Sequence, residues 1–140
     1  MSSQPIFKYG EDTLTVQKVM DIVHGNLFAT ISKKACLGII ESRKKVDVMA
    51  KGNKAIYGIN TGFGPLCDTQ ITPKETNQLQ VNLLLSHAVG VGEPIDTKIA
   101  KAMMVCKVHS LCKGYSGIRL KVIERIIYFI EKGLTLNLFR

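Results

Sequence analysis

The stretch Tyr57-Gly58-Ile59-Asn60-Thr61-Gly62-Phe63-Gly64 gathers a phenol, an amide, a hydroxyl and three glycines into a segment with neither helical nor strand period. Glycine admits positive φ and close backbone approach, so such a segment can hold a tight, ordered loop. A phenol titrates near ~10 when unperturbed and can give or take a proton if its surroundings stabilise the phenolate. By composition alone the first reading is a surface turn whose Tyr57 and Phe63 plug the loop onto the core. The second is a loop that presents Tyr57 for proton transfer.

Other chemistry-bearing patterns are weaker. Gly62-Phe63-Gly64 and Gly90-Val91-Gly92 each begin like a dinucleotide fingerprint, but Cys67 and Ile95 stand where the third glycine belongs. Neither a P-loop nor a His-Glu-x-x-His string occurs. Cys106, His109 and Cys112 fall three apart and could hold a metal in principle. Three ligands one turn apart make a poor tetrahedral set, however, so packing is the favoured reading and no metal site is expected. His24, near a helix end, reads as a cap or a surface residue.

These residues need elements to position them, and the apolar periodicity supplies mainly helices, about five. Thr15 is a candidate cap for a helix whose apolar face is Val16, Val19, Met20 and Val23, with Gly25 as its stop. Asn26 to Thr30 reads as a short extended piece or a turn. A second helix is expected from about Ser32 to Lys51, with Cys36, Ile39, Ile40, Val46, Met49 and Ala50 inward. After the Gly-rich loop, Thr72, Pro73 and Glu75 form a helix-start signature. Leu79, Leu83 and His87 follow at intervals of four, which sets the histidine one turn beyond two core leucines. Thr97 is expected to cap an apolar helix through Leu111, and Ser116 the last one. That last helix sets Lys121, Glu124, Arg125 and Tyr128 against Val122, Ile123, Ile126, Ile127 and Ile130.

Composition bounds the function classes. The chain has 140 residues, 46% hydrophobic and 21% charged, the proportions of a folded domain and not of a disordered one. Its net charge of +8 would suit nucleic acid, but the basic residues are spread at helix-surface spacing and aromatics are 6% with no Trp. Solvated helix faces explain the charge better, and neither a nucleic-acid nor a membrane partner is expected. Four cysteines without framework spacing, no secretory signal and no bilayer-length apolar run point to a reduced, cytoplasmic, soluble protein.

Tyr57 to Gly64 closely resembles the tyrosine-loop motif of the aromatic amino-acid ammonia-lyases. Leu79-Gln80-Val81-Asn82-Leu83-Leu84-Leu85-Ser86-His87-Ala88, continued by Gly90-Val91-Gly92-Glu93, resembles that family's next block, and Lys113-Gly114-Tyr115-Ser116-Gly117-Ile118-Arg119 a third. Ser86-His87-Ala88 is similar to the histidine-specific branch. The resemblance implies the helical amino-terminal region of the aspartase/fumarase-like fold, as a single domain over residues 1–140. It also implies non-oxidative deamination of L-histidine to trans-urocanate and ammonia, in a homo-oligomer. Tyr57 would be the catalytic tyrosine and His87 would place the substrate imidazole. Gly58, Asn60, Thr61, Gly62, Phe63 and Gly64 would shape the loop.

The family's electrophile, a methylidene-imidazolone, forms from an Ala-Ser-Gly tripeptide, and none occurs here; Tyr115-Ser116-Gly117 belongs to another block. The expectation is therefore a fragment without the cofactor-bearing and central bundle regions, inactive alone and prone to self-association. His109 stands where relatives often carry an amide. A non-enzymatic helical interaction module, such as a truncated homologue, is the alternative. A basic nucleic-acid binder ranks below it.

Overall fold

The computed structural model describes residues 5–135. Two compact units are present, one made of Met1–Arg43 with Gly92–Arg140 and the other of Lys44–Val91. The division falls inside the second helix.

In the first unit, β1 (Phe7–Tyr9) and β2 (Ala29–Ile31) pair in parallel, with Phe7 opposite Ala29 and Tyr9 opposite Ile31. Helix α1 (Val16–His24) connects them. Thr15 caps α1 by accepting from the Lys18 amide, and Gly25 closes it at φ 80°. Val19, Ile22 and Val23 are its buried residues, whereas Val16 is 81% exposed. The expected face is thus corrected at its first position, which lies in the opening turn. The turn-or-extended piece expected over residues 26–30 becomes strand only from Ala29, because its ladder depends on β1, a distant segment.

Helix α2 (Lys33–Lys51) begins where Ser32 Oγ accepts from the Ala35 amide at 3.0 Å. Ile39 and Ala35 are buried, but Ile40 and Met49, expected inside, are exposed. Apolar residues are distributed around this helix, Leu37 and Val48 included, so no single stripe dictates an inward face.

Helix α4 (Thr97–Leu111) buries Ala100, Met104, Val105, Val108 and Leu111 and packs on α1 and α5. Its cap is Asp96, whose Oδ1 accepts from the Lys98 amide at 2.7 Å; Thr97 is its first residue instead. Helix α5 (Leu120–Glu131) buries Ile123 and Ile130 and starts after Arg119 without a side-chain cap. Ser116 is too early to cap it, since Gly117 turns at φ 64° and donates its amide to Ser42 Oγ at 3.0 Å.

The second unit holds the loop that follows α2 and helix α3 (Pro73–His87). Thr72 and Glu75 form the expected capping box: the Glu75 amide donates to Thr72 Oγ1 at 3.3 Å and the Thr72 amide to Glu75 Oε2 at 3.0 Å. Leu79 and Leu83 are half-buried rather than core residues. Among the described residues, no helix is long and apolar enough to cross a membrane.

Candidate functional site

Loop residues 52–71 have no regular period, so their order must come from side chains. Asn60 supplies it. The side chain is 3% exposed, and its Oδ1 accepts from the Ile56 amide at 2.8 Å. Its Nδ2 donates to the carbonyls of Lys54 at 3.0 Å and Gly52 at 3.4 Å. One buried amide therefore ties the loop's entry to its middle, and a buried amide with its partners made resists being pulled out.

The far strand of the loop is fastened by backbone. Thr61 and Gln70 form an antiparallel bridge, Gly62 N–H donates to Thr69 O, and Ile71 N–H donates to Asn60 O at 3.0 Å. Gln70 Nε2 adds a bond to Gly52 O at 2.9 Å. Thr61 is 2% exposed, with Oγ1 donating to Gly62 O. Gly58 and Gly64 stand at φ 75° and 59°, and a Cβ added at either would meet nothing within 4 Å. Their need for glycine is conformational, not steric. Gly64 then opens a short 3-10 turn, Gly64–Leu66, preceded by Phe63.

On this braced frame Tyr57 remains 63% exposed, its ring meeting Phe63 edge-on at 5.9 Å between centroids. The plug reading of the two aromatics is thus replaced by a mutual contact on a mostly open ring. His87 is the last residue of α3, with Nδ1 lying 3.1 Å from Leu83 O and 2.9 Å from Ser86 Oγ. A proton on Nδ1 satisfies Leu83 O and leaves Nε2 as an acceptor. Tyr57, the loop-shaping residues and His87 all lie in the second unit. No hydrogen bond or ring contact among the described residues joins Tyr57 to His87. Gln70 is the brace that sequence reasoning missed, and no local pattern distinguishes it from any exposed glutamine.

His109 and Cys112, whose titration is shifted, sit in the first unit. His109 Nδ1 accepts from the Gly10 amide at 3.3 Å, and its ring lies 5.7 Å from that of Phe7. Desolvation, reinforced by Lys113, lowers its pKa, so the neutral imidazole is the form that fits. Burial pushes the Cys112 thiol up to about 12, while Cys106 is exposed. Among the described residues no group of three or more His, Cys, Asp or Glu is placed to hold a metal.

Comparison with known proteins places this arrangement. The family model of aromatic amino acid lyases matches residues 14–136. A histidine ammonia-lyase of Streptococcus pyogenes is 39% identical over 123 residues, 88% of this chain and 24% of that protein. The structure of tyrosine aminomutase from Streptomyces globisporus superposes with a TM-score of 0.82 at 27% identity, over 92% of this chain and 24% of the other. Histidine ammonia-lyase from Trypanosoma cruzi superposes with a TM-score of 0.78 at 31% identity, over 90% and 25%. The chain spans about a quarter of the length of these relatives.

Proposed function

The chain belongs to the aromatic amino acid lyase family, and from that premise we propose that it supplies the tyrosine loop and substrate-placing histidine of a histidine ammonia-lyase site. Its substrate would be L-histidine, and its products trans-urocanate and ammonia. The observation that carries the reading is an exposed phenol held on a loop that a buried amide and a backbone bridge keep in one shape. Preorganised placement of that kind is what a proton-transfer group needs.

Tyr57 Oη is the atom that would move a proton at the substrate's β-carbon or amine. Phe63 limits where the ring can go, and Gly58 and Gly64 give the backbone its reversals. His87, with Nδ1 turned to Leu83 O, would offer Nε2 to the N–H of the substrate imidazole. A single N–H acceptor favours an imidazole over a phenyl ring, which has no such donor.

The family's electrophile activates the amine for departure, and the residues present do not fit as its source. The one Ser-Gly pair, Ser116-Gly117, follows Tyr115 instead of Ala, and the Gly117 amide is engaged by Ser42 Oγ. The 140 residues alone therefore form no urocanate under this reading, and completion of the site needs the parts of a lyase that they do not match.

The test is a fused enzyme in which this chain replaces the matching residues of the Streptococcus pyogenes histidine ammonia-lyase. Ultraviolet absorbance should show urocanate growing with the fused enzyme and not with the isolated chain. A folded fusion that deaminates tyrosine in place of histidine, or neither, would refute the assignment.

A further inference from the structure

The first unit contains a cavity of about 130 Å³. Its apolar walls come from Ile22 of α1, Leu27, Ala29 of β2, and Ile127 and Ile130 of α5, and Tyr9 of β1 lines it as well. Lys101 Nζ donates to Val23 O at 2.9 Å, which ties α4 to the last turn of α1 beside the cavity. Apolar cavities of about 150 Å³ take up benzene, so this one is near the size of a single six-membered ring.

Tyr9 gives the cavity a polar handle. Its ring is 1% exposed and held edge-on to Phe7 at 5.5 Å between centroids. Among the described residues the Tyr9 hydroxyl makes no hydrogen bond, and no side-chain nitrogen or oxygen sealed from solvent lacks one. The sliver of Tyr9 that stays open is therefore its hydroxyl, and the cavity is where it opens. Burial holds this phenol well above its ordinary range, so it is a neutral donor. A buried donor gains from an acceptor brought to it.

The charged lining residues are Lys101 and Glu131, of opposite sign. An anion meets Glu131 and a cation meets Lys101, and either carries the cost of taking a charge into an apolar space. We propose that this cavity binds a neutral molecule of one six-membered ring bearing one hydroxyl. The ring lies among Ile22, Ala29, Ile127 and Ile130, and the ligand hydroxyl accepts from Tyr9 Oη. The Glu131 carboxylate is then available as acceptor for the ligand's own O–H. Tyr57 and His87 belong to the other unit, so the proposal is independent of the catalytic reading.

Methyl NMR of the purified 140-residue chain, titrated with benzyl alcohol, tests it. The methyls of Ile22, Ala29, Ile127 and Ile130 should shift along a saturating curve, while those of Val81 and Leu84 stay fixed. Benzoate and benzylamine should give no saturation. Tyr9→Phe should weaken benzyl alcohol by about 2–10-fold without weakening toluene. Ala29→Leu, which fills the cavity, should abolish saturation by both, and Ile127→Phe serves if that variant loses helical circular dichroism. Shifts that grow linearly with concentration or spread over both units would overturn the proposal. So would benzoate or benzylamine binding as tightly as benzyl alcohol, or a Tyr9→Phe chain with unchanged affinity for it. None of those results would bear on urocanate formation by the fused enzyme.

Discussion

Asn60 is the residue on which the tyrosine loop turns. It is buried and bonded to three backbone groups, two of them carbonyls that precede the tyrosine. Asn60→Ala should cost about 1–3 kcal/mol in the second unit, because the Ile56 amide and Lys54 carbonyl lose their partner. Urea denaturation, or amide exchange at Ile56, reads the loss. His109 gives a prediction of a different kind. Its folded pKa is depressed, so the unfolded chain binds its proton first as pH falls. The contribution of His109 to stability is complete above its ordinary value near ~6.5 and is lost as pH drops toward the folded one. Thermal melting should show a decline as pH falls below neutrality that His109→Asn reduces. At this scale the sequence was informative where a residue type is rare in its setting, as with a Tyr among glycines. The role of Asn60 as a brace was legible only as loop shaping, because its partners are carbonyls that any residue carries.

The helices followed their punctuation. The capping box at Thr72 and Glu75 and the stop at Gly25 are local chemistry, and local chemistry is visible in sequence. Arg119 displaced Ser116 as a helix start because a bond from elsewhere, Gly117 to Ser42, decides where the backbone turns, whereas Asp96 displaced Thr97 through its own local bond to the Lys98 amide. The β1–β2 ladder was unreadable because its partners, too, are distant in sequence. For α3 the cap makes a pH prediction. Hydrogen bonds from the Thr72 hydroxyl and amide hold the Glu75 carboxyl below its usual range. The cap's contribution is therefore full above the ordinary carboxylate pKa of ~4.3 and is lost as pH falls through the lower folded value. Protection factors in the first turn of α3, with the intrinsic pH dependence of exchange divided out, should fall on acidification through that window, and Glu75→Gln should flatten the response. Thr72→Ala should cost about 1 kcal/mol at neutral pH.

At the scale of the whole molecule, family membership was legible from three ordered motifs, and the match spans about a quarter of the length of a full lyase. The apolar periodicity foretold a mainly helical chain, and the solved relatives share its arrangement. The account stands on Tyr57 being the proton-transfer group of a site assembled with more protein. Steady-state kinetics of the fused enzyme with Tyr57→Phe tests this most directly, since the ring and its contact with Phe63 remain and only the hydroxyl goes. The account predicts kcat for histidine lower by about 10²–10⁴-fold, with KM nearly unchanged. A Tyr57→Phe enzyme that forms urocanate at close to the unsubstituted rate would contradict it.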